Sequence, residues 1–103
     1  MRRHLRPLSL SALLVAALGA CGQPDLTDDA LARVCALRDQ TCACKTAACL
    51  TEAATAEQAL DAWFSENRRA LDAQRTPAFD REWQATRREV AACKAAIGEQ
   101  VGR

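Results

Sequence analysis

Apolar residues change their spacing along this chain, and the spacing predicts where helices lie. From Leu8 to Leu18 they form a nearly unbroken run, whereas beyond Pro24 they return only at intervals. Leu31, Val34, Cys35 and Arg38 recur at helical spacing behind Thr27 or Asp28, either of which can cap a helix whose first turn is acidic (Asp28, Asp29). This predicts a short helix over residues 28–38 and a cysteine-tied turn over 39–46. From Ala47 to Ala73 no Gly or Pro interrupts and Ala is frequent. Leu50, Ala53, Leu60, Trp63 or Phe64, and Leu71 mark one face there, which predicts a single long helix. Thr76 then offers a cap, followed by Pro77 at the first helical position, where its missing N–H is not needed. The last helix has the cleanest period: Phe79, Trp83, Thr86, Val90, Cys93 and Ile97 fall on one stripe in alternating steps of four and three. Gly98 is its expected stop, with a frayed tail over 99–103.

The expected fold is all-α: a short helix plus an antiparallel hairpin of two long helices that turn near Arg75 and Thr76. β-branched residues are too few and scattered to argue for strands. Beyond residue 20 there are fourteen large aliphatic or aromatic residues against nineteen alanines. Helices can approach closely, but each contact buries little area. Trp63, Phe64, Phe79 and Trp83 straddle the hairpin turn and are expected to cluster at its tip. Because Trp63 and Phe64 are adjacent, both cannot face fully inward, so one of them is the expected exposed contact for a partner.

The 103 residues carry fourteen Lys/Arg and thirteen Asp/Glu. Three of the basic residues (Arg2, Arg3, Arg6) precede the apolar run. From position 21 the balance is eleven basic against thirteen acidic residues, a net charge of −2. That balance argues against nucleic acid as a partner, since no net positive field collects phosphates. The only His (His4) also lies in the leader, so a Ser-His-acid triad cannot form downstream, where Ser65 is the sole Ser. Glycine occurs only at positions 19, 22, 98 and 102, which leaves no phosphate-binding loop. Arg68-Arg69 and Arg87-Arg88 could make a basic patch near the hairpin tip. Interleaved Glu66, Asp72, Asp80, Glu82 and Glu89 favour surface ion pairs instead.

A basic start, an apolar run and small residues are the parts of an export signal, and this run is shorter than the roughly 20 residues of a bilayer span. Its end, Leu18-Gly19-Ala20-Cys21, resembles the lipobox of bacterial lipoproteins. That resemblance implies cleavage before Cys21 and lipidation of its thiol. Partitioned accordingly, residues 1–20 are a signal peptide, 21–26 the lipidated cysteine and a short tether, and 27–98 the helical domain. Gly22 in place of Asp after the lipidated position implies, by resemblance to enterobacterial sorting, the outer membrane.

Five cysteines remain: Cys35, Cys42, Cys44, Cys49 and Cys93. In an exported chain they are disulfide candidates, and an odd count leaves one over. In a hairpin centred near residue 75, Cys93 reaches toward the cysteine-rich end. A bridge from it to Cys35, Cys44 or Cys49 is expected, with a second, local bridge such as Cys42 or Cys35 to Cys49. The competing reading is a thiol redox or metal-handling protein, with Cys42, Cys44 and Cys49 as thiolates for zinc or copper(I). Typical zinc spacings and a Cys-x-x-Cys motif are both missing, and haem attachment is excluded for want of Cys-x-x-Cys-His.

Beyond the lipobox, the Cys-x-Cys-x4-Cys turn, the long Ala-rich helix and the distal cysteine resemble small cysteine-stapled helical lipoproteins of proteobacteria, a similarity that carries no activity with it. The sequence therefore points to a protein held to a membrane through Cys21. It is expected to bind or scaffold an envelope partner rather than catalyse, and to need no cofactor.

Overall fold

The computed structural model describes residues 25–102; the leader, Cys21 and Arg103 lie outside the described residues. Among the described residues the fold is all-α, with four helices in order: α1 (Leu26–Cys42), α2 (Ala47–Glu66), α3 (Arg68–Gln74) and α4 (Pro77–Val101). No helix among the described residues is long and apolar enough to cross a membrane.

Helix α1 is longer than the sequence pattern predicts at both ends, because its cap is Asp25 rather than Thr27 or Asp28. The Asp25 carboxylate accepts the Thr27 and Asp28 N–H groups at 3.1 and 3.3 Å and the Thr27 hydroxyl at 2.6 Å. The first helical N–H, on Leu26, donates to Gln74 Oε1 at 2.8 Å, which docks the start of α1 on the end of α3. The turn shrinks to residues 43–46, where Thr46 Oγ1 accepts the Cys49 N–H and caps α2.

The expected single helix over 47–73 is broken at Asn67, which adopts φ −106° and ψ 12°. Its backbone N–H keeps the regular bond to the Trp63 carbonyl at 3.1 Å, but its side-chain amide donates to the same oxygen at 2.8 Å and holds the residue out of helical geometry. Gly98, conversely, does not stop α4, and the expected frayed tail is helical to Val101. A lone helical glycine costs only about 1 kcal/mol against alanine, too little to end a helix by itself. Thr76 caps α4 through the Phe79 N–H at 3.1 Å, with Pro77 opening the helix as expected.

The packing centre is α1, not the hairpin of long helices. Ala30 shares a buried cluster with Leu71 and Phe79, while Val34 and Leu37 share another with Leu60 and Val90. Contacts of α1 with α4 advance in the same direction along both helices, through Ala30 with Phe79, Arg38 with Glu89 and Cys42 with Cys93, so the two run parallel. Helix α2 runs against both, with Trp63 beside Arg33 and Glu57 beside Lys94. The stripe predicted for α4 is the one that faces inward: Phe79, Thr86 and Val90 are buried, and Trp83 packs against both clusters.

The start of α1 also carries opposed charge effects. The Thr27 hydroxyl and the Asp28 N–H hold the Asp25 carboxyl below the ordinary carboxylate range. The Asp25 carboxylate in turn pushes Asp28 up, with Glu82 adding to the repulsion. A depressed carboxyl contributes stability that is lost as pH falls through its folded value, and a raised one does the reverse. Asp28→Asn is therefore expected to raise stability at neutral pH. It should also make the domain lose more stability than the parent on acidification from about pH 6 to about pH 3. Urea titrations at the two pH values check both signs.

Candidate functional site

Two regions gather the chemistry-bearing side chains: the cysteine end of the bundle, and the face where α2, α3 and α4 meet. At the cysteine end, the last residue of α1 meets the fifth turn of α4, and Cys42 is bonded to Cys93 with a Cα–Cα distance of 5.1 Å. Cys44, buried in the turn, is bonded to Cys49 in the first turn of α2 at 5.4 Å. The expected partners of Cys93 (Cys35, Cys44 or Cys49) are thus corrected to Cys42, and the local bridge uses Cys44 in place of Cys42 or Cys35. The physical reason is that α1 lies parallel to α4 and ends level with Cys93, a neighbour that a two-helix hairpin does not contain.

Among the described residues Cys35 is the one free thiol, half-buried on α1. It lies two turns before Cys42, or about 10 Å along the helix axis. The five sulfurs therefore do not converge, and among the described residues no three Cys, His, Asp or Glu side chains are grouped to hold a metal ion. In this oxidised form the three thiolates of the metal-handling reading, Cys42, Cys44 and Cys49, are all consumed in disulfides.

At the other region, Trp63 and Phe64 diverge. Consecutive helical residues point about 100° apart, and α2 has neighbours on two sides. Trp63 turns to α1, where the Arg33 guanidinium lies 4.3 Å from its ring centroid. Phe64 turns to α4 and meets Trp83 at 4.8 Å, and Phe79 stacks with the same Trp83 ring at 5.9 Å. Both residues are half-buried, so neither is the exposed contact expected from their adjacency. Beyond the aromatic contact, long charged side chains span the α2–α4 seam. Arg87 reaches Asp61 at 3.0 Å and Glu57 at 3.5 Å, and Lys94 reaches Glu57 at 2.7 Å.

None of the four arginines of the two doublets pairs with an interleaved acid. Arg87 is paired, but with acids of α2. Asp72 and Asp80 are both taken by Arg75 at 3.0 Å, and they hold its guanidinium above its ordinary value, Asp80 more strongly. Glu89 bonds Arg38 at 3.3 Å. Arg68, Arg69 and Arg88, together with Arg81, have no ion-pair partner among the described residues. The sequence held this signal. One turn away from Arg81 and Arg88 stand Ala78, Gln84, Ala85, Ala91 and Ala92, while Glu82 and Glu89 each follow an arginine by one position and so point elsewhere.

Between these elements lies a hollow of about 420 Å³, bordered by Asp61, Phe64, Ser65, Arg68, Trp83, Gln84 and Arg87. A shallower groove of about 270 Å³ runs between α1 and α2, where Ala36, Ala56 and Ala59 leave space beside Leu37 and Leu60. No family model matches the chain, and no curated protein or solved structure is similar to it.

Proposed function

We propose that this chain is a lipid-anchored protein of a bacterial cell envelope, attached through Cys21 and facing the periplasm, that works by binding or scaffolding. The observation that carries the reading is Leu18-Gly19-Ala20-Cys21 directly behind the apolar run from Leu8. A thioether-linked diacylglycerol at Cys21 anchors firmly, since each buried methylene contributes about 0.8 kcal/mol and two chains hold where one does not. Disulfides persist in an oxidising compartment such as the periplasm, and the two in this domain fit that address. Gly22 after the lipidated position favours the outer membrane. Binding rather than catalysis is favoured because a nucleophile–base pair would have to be built without any histidine beyond His4.

The test is Cys21→Ser in the bacterial host. The parent protein is expected in the detergent phase of a cloud-point partition, with a mass that includes acyl chains. The variant is expected in the aqueous phase or as an uncleaved precursor. Normal processing and full membrane retention of the variant would falsify the lipid anchor.

A further inference from the structure

The arginines of the domain divide by commitment. Arg33, Arg38, Arg75 and Arg87 hold carboxylates, while Arg68, Arg69, Arg81 and Arg88 hold none among the described residues. The uncommitted four share one side of the bundle. The aromatic-floored hollow shares Ser65 and Arg68 with a second hollow that includes Arg69. It shares Gln84 with a third, along α4, that includes Arg81 and Arg88. No residue of α1 lines any of the three, so this face looks away from the packing centre.

Acidic groups around these hollows are mostly neutralised. Asp61 belongs to Arg87, and Asp72 and Asp80 belong to Arg75, which leaves Glu66 as the uncompensated carboxylate. A domain of net negative charge thus presents a face with four uncommitted guanidinium groups against one carboxylate. Each guanidinium offers planar donors matched to a carboxylate. The half-buried Phe64 and Trp83 rings, with the Arg75 and Arg87 guanidinium groups 5.8 and 5.9 Å from their centroids, contribute the apolar part of an otherwise polar hollow large enough for a side chain. Aromatic residues with arginine are the composition enriched at protein interfaces.

We infer that this face docks an acidic segment of a partner protein, whose carboxylates meet Arg68, Arg69, Arg81 and Arg88 while one apolar side chain enters the hollow beside Phe64 and Trp83. The inference deepens the binding role proposed above and rests on it. An anionic membrane is the alternative occupant, which the vesicle measurement below separates from an acidic segment.

The test uses the full chain in a nonionic detergent and a fluorescein-labelled peptide of glutamates around a central phenylalanine, with its glutamine counterpart as control. Fluorescence anisotropy is expected to show binding of the acidic peptide alone, weakened by salt. Arg→Gln at all four positions is expected to weaken binding more than about tenfold, at about 2- to 5-fold per exposed pair. Arg81→Gln/Arg88→Gln alone is expected to have an intermediate effect. Arg→Lys at the four positions should retain salt-dependent binding, and Lys45→Gln at the opposite end should change nothing. Circular dichroism confirms that each variant is helical. Equal binding of the glutamine peptide, or unchanged affinity in the fourfold variant, overturns the proposal. So does binding to phosphatidylglycerol vesicles but not to the peptide. The mass of the parent chain separates the two claims, because a parent without acyl chains that still binds the peptide refutes the anchor and spares the face.

Discussion

Replacing Cys42 and Cys93 together by alanine is expected to lower the unfolding free energy by about 4 kcal/mol and the Tm by about 15–30 °C. The two residues are 51 apart in sequence, so their bond closes most of the domain into a loop and removes many extended conformations from the unfolded chain. Total stability for a domain of this size is about 4–12 kcal/mol, which makes this one cross-link a large share of it. Cys44→Ala/Cys49→Ala supplies the internal comparison. That bridge spans only five positions and is expected to contribute about 2 kcal/mol. Urea unfolding of both variants checks the ordering, and equal losses would reject the loop-entropy account. Alkylation of the denatured, unreduced protein should label Cys35 and none of the other four downstream cysteines.

Leu71→Ala is expected to cost about 2–5 kcal/mol, the range for deleting a buried leucine side chain into a cavity that neighbours only partly fill. Leu71 is fully buried and is the one buried residue of α3. It packs with Ala30 and Phe79, so it ties the shortest helix to both α1 and α4. A seven-residue helix is far below the length that stands alone in water. The loss should therefore be uneven. Hydrogen exchange is expected to show α3 amides opening well before those of α2 near Leu60, and the Leu26 N–H losing protection as Gln74 swings away. Uniform loss of protection across all four helices would show that α3 is not separately dependent on Leu71.

Much of α4 was legible because one residue type at one spacing decided it. Phe79, Trp83, Thr86 and Val90 are the large or half-polar members of an otherwise alanine- and arginine-rich segment, and the stripe they form is the one that packs. The break at Asn67 was not legible. Asparagine there ends α2 by turning its own amide back to the Trp63 carbonyl, a local bond that competes with helix continuation and leaves no Gly or Pro in the sequence. The central role of α1 was hidden for a related reason. Its buried residues are Ala30, Val34, Leu37 and Thr41, small enough that the stripe looked like a minor appendage. Once α1 is seen to lie between α2 and α4, the cysteine pairing and the divergence of Trp63 and Phe64 both follow. Arg81 and Arg88 were legible as uncommitted, because Glu82 and Glu89 sit one residue away in sequence and about a quarter-turn away in space, whereas Arg68 and Arg69 have Asp72 at helical spacing and lose it to Arg75.

The bond between Cys42 and Cys93 also determines how the molecule would bear tension. A pull applied through the chain on either side of the domain travels along α1 to Cys42, crosses the two sulfurs, and leaves along the last turns of α4. Everything between residues 42 and 93, including α2 and α3, lies in a side loop that carries no load. Only residues 25–42 and 93–102 of the described chain can be drawn out while that bond is intact, so a force that straightens α1 removes the packing centre but leaves the arginine-bearing segment closed in a loop of fixed length, ready to refold when the force is released.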